Sequence, residues 1–215
     1  MTRTVIVLAK VPRPGRVKTR LCPPLTFDEA TEVAWASLHD TLDAVRRTRC
    51  DRRILAVDDP SAGLTPWGFD VIGQSAGGLD RRLASAFAAA RGPTVLVGMD
   101  TPQITAELVE AGLESLLAPR DAVIGPAADG GYWLIGLPGP DARVFTGIPM
   151  STEETGAAQR TRLLRLGYRV TDLPVLRDVD EHPDALAVAA EINGTRFAET
   201  VARITMHTMS SVSAA

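Results

Sequence analysis

The chain has 215 residues, 45% of them apolar and 23% charged, enough apolar material to bury a core and too much for a disordered chain or a stapled mini-protein. Lysine and arginine total 23 against 26 acidic residues, so there is no basic excess to meet a nucleic-acid backbone. Two cysteines without C-x-x-C spacing and three dispersed histidines argue against zinc, no apolar run is long enough to span a bilayer, and the opening MTRTVIVLAK is unlike a signal peptide, so the expectation is a cytoplasmic protein.

Thr4 to Leu8 (TVIVL) is a continuous β-branched run, the pattern of a strand buried on both faces. Lys10 to Pro24 follows with four prolines, a glycine and five cations, which predicts an extended loop. Thr26 and Glu29 form a capping box for a helix reaching about Arg47, with Ala30, Val33, Ala34, Leu38, Leu42 and Val45 on one face. Arg53–Val57 and Phe69–Ile72 read as strands, Asp80–Arg91 as a helix, and Thr94–Val97 as a buried strand ending at Asp100. Thr105 caps a helix to Leu117, and Asp121–Ile124 and Tyr132–Leu137 are strands around PAADGG. A second capping box, Ser151 with Glu154, opens a helix ending at Gly167. Arg169–Leu173 is a strand, Pro183 sits in the first turn of a long final helix, and the closing MHTMSSVSAA reads as a frayed tail. The alternation predicts one α/β domain over residues 1–205, a Rossmann-like three-layer α/β/α fold with a mostly parallel sheet, and a flexible tail over 206–215.

In such a fold, ligands bind beyond the carboxyl ends of the strands, which directs attention to three segments. The first is the loop Ala9-Lys10-Val11-Pro12-Arg13-Pro14-Gly15-Arg16-Val17-Lys18-Thr19-Arg20, whose cations and fixed backbone suit a polyphosphate; the other reading is a solvated basic loop. It contains both lysines of a chain in which the other 21 cations are arginine. Neither a complete P-loop nor G-x-G-x-x-G is present. The second is Asp100 in GMDTP, a carboxylate able to meet a hard divalent cation or simply to cap a turn. Asp178-Val179-Asp180 offers two carboxylates at i, i+2 spacing, with Asp180 alternatively an N-cap for the helix that follows. The third is GPAADGGYW: Asp129 between strands, Gly130 and Gly131 permitting close backbone approach to a substrate, and Tyr132 and Trp133 as either a stacking face or core. Arg81 and Arg82 are weaker candidates for acceptor or phosphate contacts.

Together, VIVLAKVPRPGRVKTRLCPPLT, GMDTPQIT, GPAADGGYWLIGL, IPMST and DVDEHPDAL resemble a bacterial family of glycosyltransferase-A-like nucleotide-diphospho-sugar transferases. The match runs over about residues 3 to 190, and K-x(7)-K-T-R-L is also similar to the opening of the 2-phospholactate guanylyltransferases. The resemblance implies that Lys10, Arg13, Gly15, Lys18 and Arg20, with Ala9 and Pro14 between them, line a nucleotide diphosphate. It also implies that Asp100 and Asp180 hold Mg²⁺ or Mn²⁺ and that Asp129, Gly130, Gly131 and Tyr132 face the sugar or acceptor. Two departures fall at the substrate pocket: Gly77-Gly78-Leu79-Asp80-Arg81-Arg82 stands for a G-D-L-G-x-R-like segment, and Ala128 stands where an acidic residue is expected. The function expected is a metal-dependent transferase with a nucleotide-sugar donor and a small acceptor. In that reaction Lys18 and Arg20 would neutralise the leaving group and Asp129 would act as base. The alternatives are a nucleotidylyltransferase that releases pyrophosphate from an NTP and a non-catalytic nucleotide-binding regulator. The sequence has Leu8-Ala9-Lys10-Val11 in place of the L-A-G-G loop common in nucleotidylyltransferases.

Overall fold

The computed structural model describes the backbone of residues 1–213 and the side chains through His207. Seven strands form one sheet: β1 (Thr4–Ala9), β2 (Arg52–Val57), β3 (Asp70–Gly73), β4 (Thr94–Gly98), β5 (Asp121–Pro126), β6 (Tyr132–Leu137) and β7 (Arg169–Asp172), in the order β3-β2-β1-β4-β6-β5-β7. All pairings are parallel except those of β6, which runs against both β4 and β5. Val5, Ile6 and Val7 have no exposed surface, as the unbroken apolar run requires of a central strand. Each such side chain contributes on the order of 1.5–3 kcal/mol of transfer free energy.

The two faces of the sheet are covered by different helices. On one, Val5, Val7, Val95 and Val97 pack with α1 (Phe27–Arg47) and α3 (Ala106–Glu114). On the other, Ile6, Ile54, Leu96 and Ile135 pack with α2 (Leu79–Ala88) and α4 (Thr155–Arg165), where Phe87 meets Phe145 at a ring separation of 5.3 Å. The outer side of α1 is covered in turn by α5 (His182–Glu191) and α6 (Arg196–Ser213) through Val33, Val188, Phe197, Val201 and Ile204. The Thr26–Glu29 capping box forms as expected, with the Thr26 hydroxyl accepting from the Glu29 amide at 3.2 Å and Glu29 accepting from the Thr26 amide at 2.8 Å.

Four local expectations are corrected. The final helix is two helices, because Gly194 takes a left-handed φ of 72° and the Thr195 hydroxyl then accepts from Ala198 N at 3.1 Å to start α6. The stretch read as a tail from 206 is helical through Ser213. Once Phe197, Val201 and Ile204 anchor α6 on α1, each further turn extends an existing helix and needs no new nucleus. Ser151 caps nothing: its backbone is left-handed, with φ 60°, and α4 begins at Thr155, whose hydroxyl accepts from Thr152 N and donates to Pro149 O. Asp180 is not a helix cap either, since Glu181 occupies the N-cap of α5 in a capping box with Asp184.

Candidate functional site

Strands β1, β4 and β5 all end at one edge of the sheet, and β6, reversed, begins there. Between these ends lies a cleft of about 1060 Å³. Of the residues singled out from the sequence, Ala9, Lys10, Lys18, Arg20, Asp100, Asp129, Gly130, Gly131, Tyr132 and Asp180 line it. Arg13, Pro14 and Gly15 do not. The Arg13 guanidinium pairs with Asp59 instead, and the Val11 amide donates to Asp58 at 2.8 Å, so this half of the loop is tied back to the segment after β2. Gly15, at φ 70°, closes a turn in which Arg16 N donates to Arg13 O at 3.0 Å; the chain then re-enters the cleft with Arg16, a loop cation that the resemblance does not single out.

Lys18 is the centre of the arrangement. Its backbone is left-handed, with φ 49° and ψ 35°, at the start of a single 3₁₀ turn, Thr19–Leu21, and buried Val17 and Leu21 anchor it on both sides. Its side chain is only 7% exposed. The ammonium lies 2.5 Å from Asp100 Oδ1 and 3.6 Å from Asp180 Oδ1, and donates to the Val179 carbonyl at 2.5 Å. Arg20 reaches Asp180 from the solvent side at 3.2 Å. Val179 N donates to Asp100 O at 2.9 Å, which clamps the end of β4 to the segment before α5.

Asp178, the other carboxylate of the D-V-D run, points inward. It accepts from the Thr101 hydroxyl, and burial, reinforced by the charges of Asp100 and Asp129 beside it, pushes its carboxyl up to about 6 against the opposing effects of Thr101 and Lys18. The i, i+2 spacing therefore brings Asp178 and Asp180 to one cleft but into opposite environments. Asp100 and Asp180, about half exposed to the cleft, are a donor set suited to a hard divalent cation. Among the described residues no group of three His, Cys, Asp or Glu side chains is arranged to hold a metal, so water or oxygens of a bound phosphate would have to complete such a site.

The opposite wall is built by glycines. Asp129 accepts from Gly131 N at 2.9 Å, and Gly130, at φ 89°, lies so close to the segment before α4 that a Cβ there would stand 2.0 Å from the Glu153 carbonyl. Gly156 N in turn donates to Gly130 O at 2.8 Å. This contact carries Ser151, Thr152 and Glu153 to the cleft, a placement no local sequence signal announces. Tyr132 is partly buried, its hydroxyl 3.4 Å from Gln159, and burial raises its phenol above the ordinary value. Trp133 offers no stacking face: it is 2% exposed, lies against Gly125 and donates its indole N–H to Pro174 O at 3.0 Å. Arg82, from α2, lines the cleft on the β1 side.

A protein from Desulfovibrio desulfuricans G20, provisionally described as a nucleotide-diphospho-sugar transferase, is 28% identical and superposes with a TM-score of 0.83, covering 98% of this chain and 96% of its own. The manganese complex of Rv0371C from Mycobacterium tuberculosis H37Rv shares the fold at 23% identity and a TM-score of 0.51, over 89% of this chain and all of the other. A cytidylyltransferase from Leptospira borgpetersenii shares it at 12% identity and a TM-score of 0.58, over 96% and 95%. No curated protein matches the sequence. The fold is thus that of the nucleotide-diphospho-sugar transferases and nucleotidyltransferases. Residues 41–152, which include Asp100 and the Asp129 turn, match the family described as "Uncharacterized protein conserved in bacteria (DUF2064)", and the chain belongs to that family.

Proposed function

We propose that the protein is a metal-dependent transferase that moves a glycosyl group from a nucleotide-diphosphate sugar to a small uncharged acceptor. The observation that carries this reading is the division of charge within one cleft. Lys10 and Arg16 from the loop after β1 and Arg82 from α2 give one side an excess of positive charge beside the balanced cluster of Lys18 and Arg20 with Asp100 and Asp180, whereas Asp129 and Glu153 enter from the β5–β6 turn and the segment before α4. Strand order sets these walls apart, with β3, β2 and β1 on one side of β4 and β6 and β5 on the other. A diphosphate is attracted to the first wall. A neutral hydroxyl compound is tolerated at the second, where a phosphate nucleophile would meet like charge.

Mg²⁺ or Mn²⁺ at Asp100 and Asp180, completed by diphosphate oxygens, would neutralise charge on the departing nucleoside diphosphate. The manganese bound by the M. tuberculosis protein of the same fold supports that choice. Lys18 and Arg20 add positive charge at the same oxygens as the bond to the anomeric carbon breaks and its electron pair leaves with the diphosphate. One Asp129 oxygen is held by Gly131 N, which orients the carboxylate; the other accepts the proton of the acceptor hydroxyl as that oxygen bonds to the anomeric carbon. Ala9 and Lys10 flank the phosphates, and Gly130, Gly131 and Tyr132 border the sugar and acceptor.

Incubating the protein and Mn²⁺ with separate pools of nucleotide sugars and NTPs tests this reading. Release of a nucleoside diphosphate from one sugar nucleotide is the expected result. Release of pyrophosphate from an NTP would overturn it in favour of nucleotidyl transfer.

A further inference from the structure

The Lys18 ammonium is already engaged inside the protein by one hydrogen bond and two ion pairs, and this bears on how the site is loaded. An ammonium has three N–H donors. That of Lys18 donates a hydrogen bond to the Val179 carbonyl at 2.5 Å and forms ion pairs with Asp100 Oδ1 at 2.5 Å and Asp180 Oδ1 at 3.6 Å, behind a side chain only 7% exposed. With Arg20 on Asp180, two positive and two negative charges balance. A divalent cation arriving alone would meet carboxylates already neutralised and a fixed positive charge between them. It would also find too few protein ligands, since the described residues hold no third side chain placed to join these two.

A diphosphate changes both terms. It offers the ammonium anionic oxygens in place of the carboxylates, and it brings the missing metal ligands. We propose that Lys18 is an internal counter-ion that keeps Asp100 and Asp180 closed to free divalent metal and yields them only to metal and diphosphate together, so that the two bind as a unit. The proposal rests on the assignment of Asp100 and Asp180 as metal ligands in the proposed function. Reciprocity then requires that diphosphate strengthen metal binding by the factor by which metal strengthens diphosphate binding.

The test uses Mn²⁺ alone, followed by the electron paramagnetic resonance signal of the free ion, and labelled inorganic pyrophosphate, followed by equilibrium dialysis with and without Mn²⁺. In the wild-type protein, Mn²⁺ alone binds weakly, and pyrophosphate affinity rises at least tenfold when Mn²⁺ is present. Lys18→Met and, as a second variant, Lys18→Gln bind Mn²⁺ alone at least tenfold more tightly than wild type, and the gain from adding the second ligand shrinks. Tight Mn²⁺ binding by the wild-type protein without pyrophosphate, unaltered by its addition, overturns the proposal without recourse to any variant. Equal Mn²⁺ affinity in wild type and folded Lys18 variants overturns it too. Asp100→Asn separates the two levels: if Mn²⁺-dependent pyrophosphate binding survives in that variant, the metal assignment itself fails. If binding is lost there while the Lys18 variants behave as wild type, only the counter-ion role fails.

Discussion

Two glycines with left-handed backbones isolate what the close approach of the Asp129 turn to the segment before α4 is worth. Gly15 has φ 70° and open space where a Cβ would go, whereas Gly130 has φ 89° and would bring a Cβ to 2.0 Å from the Glu153 carbonyl. Gly15→Ala should therefore cost only the left-handed penalty of an L-residue, roughly 1–2 kcal/mol. Gly130→Ala carries that penalty and must also push two backbone segments more than an ångström apart, losing the bond from Gly156 N to Gly130 O. Adding about 1 kcal/mol for that bond and at least as much for displaced packing gives a total of about 3 kcal/mol or more. At about 2–4 °C per kcal/mol for a chain of this size, the melting temperature should fall by about 2–8 °C for Gly15→Ala and by at least about 6–12 °C for Gly130→Ala. Differential scanning calorimetry of both variants, paired with urea titration, makes the comparison. If Gly130→Ala unfolds no earlier than Gly15→Ala, the close contact is not what fixes the acceptor wall or holds Glu153 at the cleft.

Lys18→Arg, conservative in charge, should lose most transfer activity and about 1–3 kcal/mol of stability, because a planar guanidinium overfills a site shaped to an ammonium; Arg165→Lys on exposed α4 should change stability by no more than about 0.5 kcal/mol, and urea midpoints with turnover assays distinguish them. Phe87→Ala should cost about 3–5 kcal/mol by removing a side chain 1% exposed that packs on Phe145, read as a shift in the same midpoint. Hydrogen bonds from the Arg169 guanidinium hold the Asp121 carboxyl below its ordinary value, so that pair stabilises the fold fully above the unfolded carboxylate value near 4 and progressively less as pH falls through the lower folded value. Stability measured from pH 6 down to pH 2 should show a smaller acid-side loss in Arg169→Met than in wild type; equal slopes would refute the assignment.

The sheet and its helices are legible in the sequence because most strands are short apolar runs, β-branched in β1 and β4 and aromatic in β6, bounded by turn residues, and each long helix carries one apolar stripe. What escaped reading were decisions made between distant segments. Ser151 and Glu154 satisfy the spacing of a capping box, yet Gly156 is drawn to the carbonyl of Gly130, and the helix starts one turn later than local chemistry proposes. The D-V-D run presents the same limit at the site. Alternation places both carboxylates toward the cleft, but only Thr101, 77 residues away, draws Asp178 inward, while Arg20 and Lys18 retain Asp180 at the surface. Arg13 shows the converse: a cation in the expected loop is withdrawn by Asp59, and Arg16 enters the cleft in its stead.

The two lysines among 21 arginines also acquire a physical meaning from this geometry. A guanidinium is planar and matches a carboxylate side by side, as Arg143 does with the two oxygens of Asp141, where its side chain is 69% exposed. Lys18 instead points its charge at two carboxylates and a carbonyl in different directions from a left-handed backbone position. A compact ammonium with three divergent donors can do this, and it can be handed to a phosphate oxygen by rotation of a flexible stem. Lys10, by contrast, lines the cleft by position in the chain, and its backbone amide contacts Met99 Sδ at 3.3 Å. The two lysines are therefore unequal, and exchanging each for arginine separates them: the Lys10 variant should keep the coupling between Mn²⁺ and pyrophosphate that the Lys18 variant loses. Loss of coupling in both would mean that the loop acts by its total charge and not through the geometry of one ammonium.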